Sequence, residues 1–433
     1  MEKVKIEKIN RLYGEFIAPS DKSVSQRAVI ISSIAKGKTK IRNFLDCDDS
    51  RHTIGVFRQI GIALVEKDGE LEVAGKGLFG LKKPEQKISA GNSGTTLRLI
   101  SGILAAQHFN SILSAERSLS TRPMRRIIEP LQKMGADISG RVKENDVYPP
   151  LVIKGQNLFP IRYKIPINSA QVKSAILLAG LYANGLTAVE ENLKTRDHTE
   201  RMLLLFKAGI KVRGLKVYIQ GNKELVPPRE LFVPGDMSSC LFFIVAATVV
   251  KNSQVVIRQV GINPTRSYAL KILKRMGANI EIKKIKRQLN PYEPVADLII
   301  KSSVLKAVTI TTNEVDYCID EIPILSVAAS MAKGTTVIKN ALELRVKETD
   351  RIKSMVINLK KMGAKIKNRD NDMIINGPNC LSGSQLSSFG DHRTAMSMAV
   401  AGLTASGETE ITGSECIDKS FPKFMDTLTF LKQ

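Results

Sequence analysis

The sequence has 433 residues, of which 43% are hydrophobic and 25% are charged, and its formal net charge is +23. The length favours two domains of roughly 200 residues each. The longest apolar run, Cys240 to Val250, is about half as long as a membrane span requires. Five cysteines without a C-x-x-C pair and four dispersed histidines argue against disulfides and metal sites. We therefore expect a cytoplasmic monomer with no metal, no other cofactor and no membrane partner.

The excess positive charge is compatible with nucleic acid, an anionic surface or small anionic substrates. Aromatic residues are few, tryptophan is absent, and the lysines are spread along the chain instead of forming a basic tail. No nucleic-acid-binding motif is present. We therefore expect small anionic substrates and no nucleic-acid partner.

Six segments, each rich in small and apolar residues, predict buried helices followed by a turn and a strand. They are Ala28 to Ile41, Leu97 to Leu113, Ser174 to Val189, Leu241 to Ile257, Leu325 to Ile338 and Met396 to Ile411. A helix without a polar face belongs in the interior of a protein.

An amphipathic helix follows each of these segments, and in five repeats the sequence predicts that a glycine ends it. The glycines are Gly61, Gly135, Gly209, Gly277 and Gly363, and the last copy is Phe421 to Leu431. The sequence therefore predicts an α/β fold with two similar domains, each of three repeated α/β units around buried helices.

Turn residues near Pro19 and at Pro234-Gly235 predict the domain boundaries. We expect a discontinuous domain of residues 1–19 plus 236–433, an inserted domain of residues 20–235, and a hinge near 19–20 and 234–236. A cleft between domains is a common place for ligands, because closure expels water.

Charged and hydroxyl residues precede most of the predicted helices, where free N–H groups and the helix dipole favour anions. In the first half these are Lys22, Ser23 and Arg27; Gly91 and Gly94; Arg122, ahead of a Pro123 that suits the first helical position; and Ser169, Gln171 and Arg196. Each cluster taken alone also fits a capped helix start with solvated cations. His198 fits a structural hydrogen bond better than a catalytic base.

In the second half, Asp236, Ser238 and Ser239 fit capping residues. Asp320-Glu321, Leu344 to Arg351 (LRVKETDR), Asp391-His392-Arg393 and Lys419 stand before later helices. If these helix starts meet in one cleft, they provide cations for anionic molecules and carboxylates for acid/base catalysis. For the segment from Leu344 to Arg351, the sequence leaves open whether its residues cap the following helix, bind an anion, or do both.

The ordered motifs identify the chain as similar to the enolpyruvyl transferases over essentially its full length, in the branch that acts on shikimate-3-phosphate. They are DKSVSQR (21–27), GNSGTTLR (91–98), RPM (122–124), SAQVKSA (169–175), TRDHTE (195–200), GDMSS (235–239), LRVKETDR (344–351) and DHR (391–393). The resemblance implies the family fold, an inside-out α/β barrel of two three-repeat domains.

The resemblance also implies two sets of ligand residues. For shikimate-3-phosphate they are Lys22, Ser23, Arg27, Ser169, Ala170, Gln171, Arg196, Asp320 and Lys347. For phosphoenolpyruvate (PEP) they are Lys22, Gly94, Arg122, Arg351, Arg393 and Lys419. The inserted domain would bind mainly shikimate-3-phosphate, and the discontinuous domain would bind mainly PEP and carry the acid/base residues.

The implied reaction moves the enolpyruvyl group of PEP to the 5-hydroxyl of shikimate-3-phosphate by addition and elimination, in the biosynthesis of aromatic amino acids. Glu348 and Asp320 are the candidate proton-transfer residues, with Lys22 near the reacting carbons. Which carboxylate performs which transfer stays open, since coupled groups titrate together.

The sequence departs from the family pattern at Ala115-Glu116, at Ala170 and at Glu343, which affects details of the shikimate-3-phosphate pocket. Gly94 matches members expected to bind glyphosate in the PEP site. The rival branch, which uses UDP-N-acetylglucosamine, carries a cysteine before its Arg-Pro, and residues 115–121 contain none. A non-catalytic anion-binding protein is the second alternative, against which the carboxylates argue.

Overall fold

A computed structural model describes residues 2–67, 69–285 and 292–432 of the chain. The described residues form two compact units. Unit 1 contains residues 2–19, 235–285 and 294–432, and unit 2 contains residues 20–67, 69–234 and 292–293. Each unit has its own hydrophobic core.

Helices and strands alternate along the whole chain. Up to residue 133 they are β1 (Lys3–Ile6), β2 (Tyr13–Ile17), α1 (Lys22–Ser33), β3 (Lys36–Arg42), α2 (Asp48–Gln59), β4 (Ala63–Lys67), β5 (Glu70–Lys76), β6 (Ile88–Ser89), α3 (Gly94–Leu104), β7 (Ser111–Ser114), α4 (Arg117–Ser120) and α5 (Arg125–Lys133). From there to residue 261 they are β8 (Asp137–Lys143), β9 (Asp146–Lys154), β10 (Arg162–Lys164), α6 (Ala170–Gly180), β11 (Leu186–Glu190), α7 (His198–Leu205), β12 (Gly209–Arg213), β13 (Lys216–Gln220), β14 (Glu230–Phe232), α8 (Met237–Val249) and β15 (Gln254–Gly261).

The remaining elements complete unit 1 and include three short 3-10 helices. They are α9 (Tyr268–Arg275), β16 (Asn279–Lys284), β17 (Val295–Lys301), β18 (Thr309–Ile310), α10 (Thr312–Tyr317), a 3-10 helix at Ile319–Glu321, α11 (Ile322–Met331), β19 (Gly334–Ile338), a 3-10 helix at Leu342–Val346, α12 (Arg351–Lys361), β20 (Lys365–Arg369), β21 (Asp372–Gly377), β22 (Gln385–Ser387), α13 (His392–Gly402), β23 (Thr409–Thr412), a 3-10 helix at Ser414–Lys419 and α14 (Phe424–Leu431).

The strands of the described residues form six separate sheets with one shared pattern, in which a parallel pair is extended by antiparallel strands. Unit 2 contains the orders β14-β3-β5-β4, β6-β7-β9-β8 and β10-β11-β13-β12. Unit 1 contains β2-β15-β17-β16, β18-β19-β21-β20 and the shorter β22-β23-β1. The predicted α/β class with three repeats in each half is confirmed. The family resemblance implies an inside-out α/β barrel. Within the described residues the strands instead form separate open sheets and do not close into a barrel.

The first helix of each repeat is buried, as its composition predicts. These helices are α1, α3 and α6 in unit 2 and α8, α11 and α13 in unit 1. In α8 every residue from Met237 to Thr248 is buried. Buried hydroxyls in these helices donate to carbonyls four residues earlier, for example Ser101 Oγ to Leu97 O at 2.7 Å and Ser326 Oγ to Ile322 O at 2.8 Å. Such bonds allow serine in a helix interior that water does not reach.

The predicted glycine at the end of the amphipathic helix is correct in four repeats and wrong in the third. Gly61, Gly135, Gly277 and Gly363 have left-handed φ angles between 87° and 97°. In the third repeat Lys207 takes this conformation at φ 56°, and Gly209 begins β12. The backbone bonds are equivalent in both cases: Ala208 N donates to Leu203 O at 2.9 Å, as Ala136 N does to Leu131 O at 3.0 Å. The buried residue before the cap, Phe206, therefore aligns the third repeat with the others, and the glycine is displaced by two positions.

No helix among residues 2–67, 69–285 and 292–432 is long and apolar enough to cross a membrane.

Candidate active site

In unit 2, helix α1 carries three predicted ligand residues, with Lys22 and Ser23 in its first turn and Arg27 in its second. Asp21 caps the helix by accepting the Val24 N–H at 2.9 Å, so the capping interpretation holds for this residue. Lys22 is the first helical residue, and its ammonium lies 2.8 Å from Asp49 Oδ2. Capping and charge placement therefore occur together at this helix start.

Gln26 links three helix starts in unit 2. Its side-chain amide nitrogen is buried within hydrogen-bond distance of three hydroxyls, Ser93 Oγ at 2.7 Å, Thr96 Oγ1 at 3.0 Å and Thr53 Oγ1 at 3.1 Å, and it has two hydrogens to share among them. Because these partners lie on or next to α2 and α3, the N-terminal halves of α1, α2 and α3 stay close together.

Gly94 is the first residue of α3, next to Arg98 and Arg122. A Cβ atom at Gly94 would lie 2.8 Å from Arg98 Nη1 and 3.7 Å from Arg122 Nη1. Arg98 Nη1 also donates to Gln171 Oε1 at 2.7 Å, and Gln171 Nε2 donates to Thr95 Oγ1 at 3.1 Å. The starts of α3 and α6 therefore share a network of cationic and amide groups.

The prediction that Pro123 begins a helix is wrong. Helix α5 begins at Arg125 after the N-cap residue Met124, and the preceding segment forms the short α4. The Met124 N–H donates to Val147 O at 2.8 Å, and the Arg125 N–H donates to Asp146 Oδ1 at 2.9 Å. These tertiary bonds satisfy two N–H groups at the helix start that have no partner within the helix, and the helix begins two residues after Pro123.

The start of α6 contains Ser169 as N-cap, which accepts the Val172 N–H at 3.4 Å, and Ala170 as the first helical residue. Arg27 lies close to this helix. Its Nε donates to Thr199 Oγ1 at 2.7 Å, and its Nη2 donates to Ser174 Oγ at 3.3 Å. The structure therefore brings Arg27 and the α6 start together.

Arg196 lies two residues before α7, and His198 is the first residue of that helix. The His198 side chain is buried, and its Nδ1 lies 2.6 Å from Glu293 Oε1, also buried, within unit 2. This position fits the structural hydrogen bond that the sequence favours for His198.

In unit 1 a single buried arginine organises the predicted acid/base residues. Arg351 is 1% exposed and donates from Nε to Asp391 Oδ2 at 2.8 Å, from Nη1 to Asp320 Oδ1 at 3.1 Å and from Nη2 to Glu348 Oε2 at 2.6 Å. Burial opposes the charged form, but the attraction of Asp391, Glu348 and Asp320 outweighs it and raises the pKa of Arg351. A guanidinium has five N–H donors, so these three bonds leave two for a further acceptor.

The other predicted cations of unit 1 surround the same carboxylates. Lys347 Nζ lies 3.9 Å from Asp320 Oδ1, and Arg393 Nη1 donates to the Asp320 backbone carbonyl at 2.9 Å. Lys419 Nζ donates to Gly390 O at 3.3 Å, directly before the N-cap residue Asp391. Two segments distant in sequence, residues 347–351 and Arg393, therefore supply the cations around Asp320, and Lys419 lies beside the loop before α13.

The capping interpretation of residues 344–351 is confirmed at Asp350, and the anion-binding interpretation stays a prediction. Asp350 caps α12 by accepting the Lys353 N–H at 3.0 Å and also receives Arg345 Nη1 at 2.9 Å. Lys347, Glu348 and Arg351 point instead to the carboxylate cluster. The residue that caps α12 and the predicted site residues are thus different residues of one segment.

The sequence did not assign roles to several residues that contact the predicted site. Asp49 pairs with Lys22, Asp391 pairs with Arg351, and Glu321 accepts a hydrogen bond from Ser238 Oγ. Glu321 Oε1 also lies 3.8 Å from Arg393 Nη1. Glu321 and Asp391 belong to clusters that the sequence already places at helix starts, whereas Asp49 was missed although it lies in the first turn of α2.

The sequence departures have local explanations in part. Glu116, in place of aspartate, is the N-cap residue of α4 and accepts Asn92 Nδ2 at 2.7 Å. Ala170 contributes its carbonyl, which accepts Ser174 Oγ at 2.7 Å. Glu343 lies in the 3-10 helix at Leu342–Val346.

Comparison with known proteins identifies the family. A family model described as EPSP synthase (3-phosphoshikimate 1-carboxyvinyltransferase) matches residues 6–428. A 3-phosphoshikimate 1-carboxyvinyltransferase of Syntrophomonas wolfei is 48% identical, with 97% of each chain covered. The protein of that name from Geobacter sulfurreducens is 49% identical, with 95% of each chain covered.

Solved structures give the same result. The EPSP synthase of Acinetobacter baumannii has a TM-score of 0.89 at 42% identity, with 100% of this chain and 98% of that chain covered. The enolpyruvyl transferase NikO of Streptomyces tendae shares the fold, with a TM-score of 0.78 at 17% identity over 99% of this chain and 96% of that chain. With the family match extending over nearly all of the sequence and high identity to curated relatives, the chain belongs to the EPSP synthase family.

Proposed function

We propose that this protein transfers the enolpyruvyl group of PEP to the 5-hydroxyl of shikimate-3-phosphate and releases phosphate. The observation that carries the proposal is the contact of Glu348 and Asp320 with Arg351, which places proton-transfer groups beside a cation. A protein that only binds anions gains nothing from carboxylates at this position, because they repel the ligand. Membership of the EPSP synthase family supports the same reaction.

The proposed chemistry is an addition followed by an elimination. PEP gains a proton at its methylene carbon, the shikimate 5-oxygen bonds to the adjacent carbon, and the hydroxyl proton passes to a base. Loss of a proton from the new methyl group then restores the double bond as the C–O bond to phosphate breaks. We assign the proton transfers to Glu348 and Asp320 jointly, with Lys22 stabilising charge near the reacting carbons.

The substrate roles divide by unit. In unit 2 we assign the shikimate-3-phosphate contacts to Lys22, Ser23, Arg27, Ser169, Ala170, Gln171 and Arg196, and PEP contacts to Lys22, Gly94 and Arg122. In unit 1 we assign Asp320 and Lys347 to shikimate-3-phosphate and Arg351, Arg393 and Lys419 to PEP. The two remaining N–H donors of Arg351 suit a bidentate bond to a carboxylate or phosphate. A cytoplasmic location and a monomeric state remain predictions.

Phosphate release tests the proposal directly. We expect the purified protein to release phosphate from PEP only when shikimate-3-phosphate is present, because the acceptor hydroxyl is needed for the addition step. A coupled phosphate assay with PEP alone, with shikimate-3-phosphate and with UDP-N-acetylglucosamine separates the candidates. Turnover with the UDP-sugar would assign the protein to the rival branch, and no turnover with either acceptor would favour a binding protein.

Glyphosate provides a second test, centred on Gly94. We expect competitive inhibition against PEP in the micromolar range, and we expect Gly94→Ala to raise the inhibition constant at least about tenfold. The added Cβ would lie 2.8 Å from Arg98 Nη1, which is itself bonded to Gln171, so the crowding is not relieved freely. Gly55→Ala is the matched control, since nothing lies within 4 Å of its added Cβ. Non-competitive inhibition, or equal inhibition of both variants, would contradict the role of Gly94.

A further inference from the structure

Three ionisable side chains outside the predicted ligand set form a buried ion cluster in unit 2. Lys173 lies on α6, and its ammonium contacts Glu191 Oε2 at 2.9 Å and Glu200 Oε1 at 2.6 Å. The side chains of Lys173, Glu191 and Glu200 are 0%, 3% and 4% exposed. Lys173, at the centre of this buried triad, lies two residues beyond the proposed ligand residue Gln171.

The triad is a poor source of stability by itself. One cation faces two carboxylates, and burial raises the pKa of Glu200 because the attraction to Lys173 offsets it only in part. Replacing a buried ion cluster by apolar groups is often neutral or stabilising. Charge-assisted hydrogen bonds do, however, fix the relative positions of the segments they join. The segments that contact the triad are therefore the ones whose positions it sets.

Glu191 transmits this constraint to the next loop. Its second oxygen, Oε1, accepts the Thr195 backbone N–H at 3.1 Å and also the Thr195 hydroxyl. Thr195 directly precedes Arg196. Lys173 thus connects helix α6, through Glu191, to the residue before a proposed phosphate ligand.

A second set of bonds ties the same loop to the segment before α6. The Leu193 N–H donates to Asn168 Oδ1 at 3.2 Å, and Asn192 Nδ2 donates to Ile165 O at 2.9 Å. Asn168 immediately precedes the N-cap residue Ser169. Asn192 and Leu193 therefore fix the beginning of the loop to the segment before α6, and the Glu200–Lys173 contact fixes the helix after the loop to α6 itself.

We propose that Thr195 and Glu191, anchored by Lys173, are positioning residues that set Arg196 in register with Ser169 and Gln171. Together these three ligand residues bind the phosphate of shikimate-3-phosphate, and the relay through Glu191 sets their spacing. The inference rests on the proposed substrate role of Arg196. In this proposal Thr195 and Glu191 act only through the position of Arg196 and make no contact with the substrate themselves. Replacing them should therefore change the affinity for shikimate-3-phosphate and leave kcat unchanged.

Thr195→Val and Thr195→Ser form the matched pair that tests the relay. Valine keeps the shape of threonine but removes the hydroxyl donor, whereas serine keeps the donor. We expect Thr195→Val to raise the dissociation constant and the KM for shikimate-3-phosphate about tenfold, with kcat and the KM for PEP within about twofold of wild type. Thr195→Ser should bind normally. A Thr195 variant is used because Lys173→Met would leave two buried carboxylates uncompensated and change folding.

A double-mutant cycle with Arg196→Ala shows whether Thr195 acts through Arg196. Calorimetric titration of shikimate-3-phosphate should show that Thr195→Val has no further effect once Arg196 is removed. Additive losses, or a normal dissociation constant for Thr195→Val alone, would overturn the relay while leaving Arg196 as a ligand. Unchanged binding by Arg196→Ala would overturn both the ligand assignment and the relay. The phosphate-release assay on the wild-type protein tests the proposed activity independently of these outcomes.

Discussion

We expect Glu348→Gln to lower kcat by at least about a hundredfold while the KM values of both substrates stay within about threefold of wild type. Glutamine keeps the size of the side chain and can still accept the hydrogen bond from Arg351 Nη2, which Glu348 receives at 2.6 Å. It cannot take up and return a proton at neutral pH. The loss therefore falls on the chemical step, and steady-state kinetics across pH should show that one ionisation has disappeared from the kcat profile.

Glu314→Gln is the matched control for this variant. Glu314 also accepts an arginine in unit 1, with Arg275 Nη1 at 2.6 Å, but it caps α10 outside the proposed site. Glutamine serves equally in that capping position, so turnover should be unaffected. If Glu348→Gln retains kcat within about threefold of wild type, Glu348 has no part in proton transfer. A raised KM with normal kcat would instead give it a binding role.

The second large effect concerns stability. We expect Arg351→Met to lower the free energy of unfolding by about 3–5 kcal/mol, because it leaves the fully buried Asp391 without its cation. Arg345→Met is the control on the same segment. Arg345 pairs with Asp350 where both side chains are about 30% exposed, and it also donates to Asn371 Oδ1 at 3.1 Å and to Asp370 O at 2.7 Å. Because water can replace these partly exposed contacts, its loss should cost about 1–2 kcal/mol, less than the loss of Arg351. Urea unfolding followed by circular dichroism compares the two variants.

Neutralising Asp391 in the Arg351→Met variant should restore part of the lost free energy of unfolding. Asp391→Asn keeps an effective N-cap for α13, since asparagine caps helices about as well as aspartate. Adding this change to Arg351→Met should therefore raise the unfolding midpoint above that of the single variant. Equal midpoints for Arg351→Met and Arg345→Met would show that the carboxylate cluster does not depend on Arg351.

The fold was predictable because its signals are local and repeated. The segment from Leu241 to Ile257 has no polar face, and the structure buries α8 from Met237 to Thr248 accordingly. The errors have local causes that the sequence does not display. At Lys207 the position of a buried phenylalanine fixes the helix end ahead of the glycine, and at Met124 and Arg125 the N–H groups of the α5 start bond to residues 146 and 147, which no local pattern displays.

The members of the site were predictable by position, but their pairing was not. Arg351, Asp320 and Asp391 each stand at a helix start, which marks them as candidates. That the Arg351 guanidinium joins both aspartates depends on how the three repeats of unit 1 pack, because Asp320 and Asp391 lie 31 and 40 residues away in sequence. The pairing of Lys173 with Glu191 and Glu200 was equally hidden, because Lys173 lies in a helix that reads as apolar and its partners stand 18 and 27 positions further along the chain.

The two N-terminal strands of unit 1 have a consequence for the order in which the chain folds. β2 pairs with β15, and β1 pairs with β23, where Lys3 is opposite Thr412. During synthesis on the ribosome, both strands emerge before unit 2 and remain without their partners while nearly all of unit 2 is made. Unit 2 can therefore acquire its core cotranslationally, whereas the sheet β22-β23-β1 is complete only after β23 has emerged. Residues 3–6 are thus among the last to reach their native neighbours, although they are made before both cores.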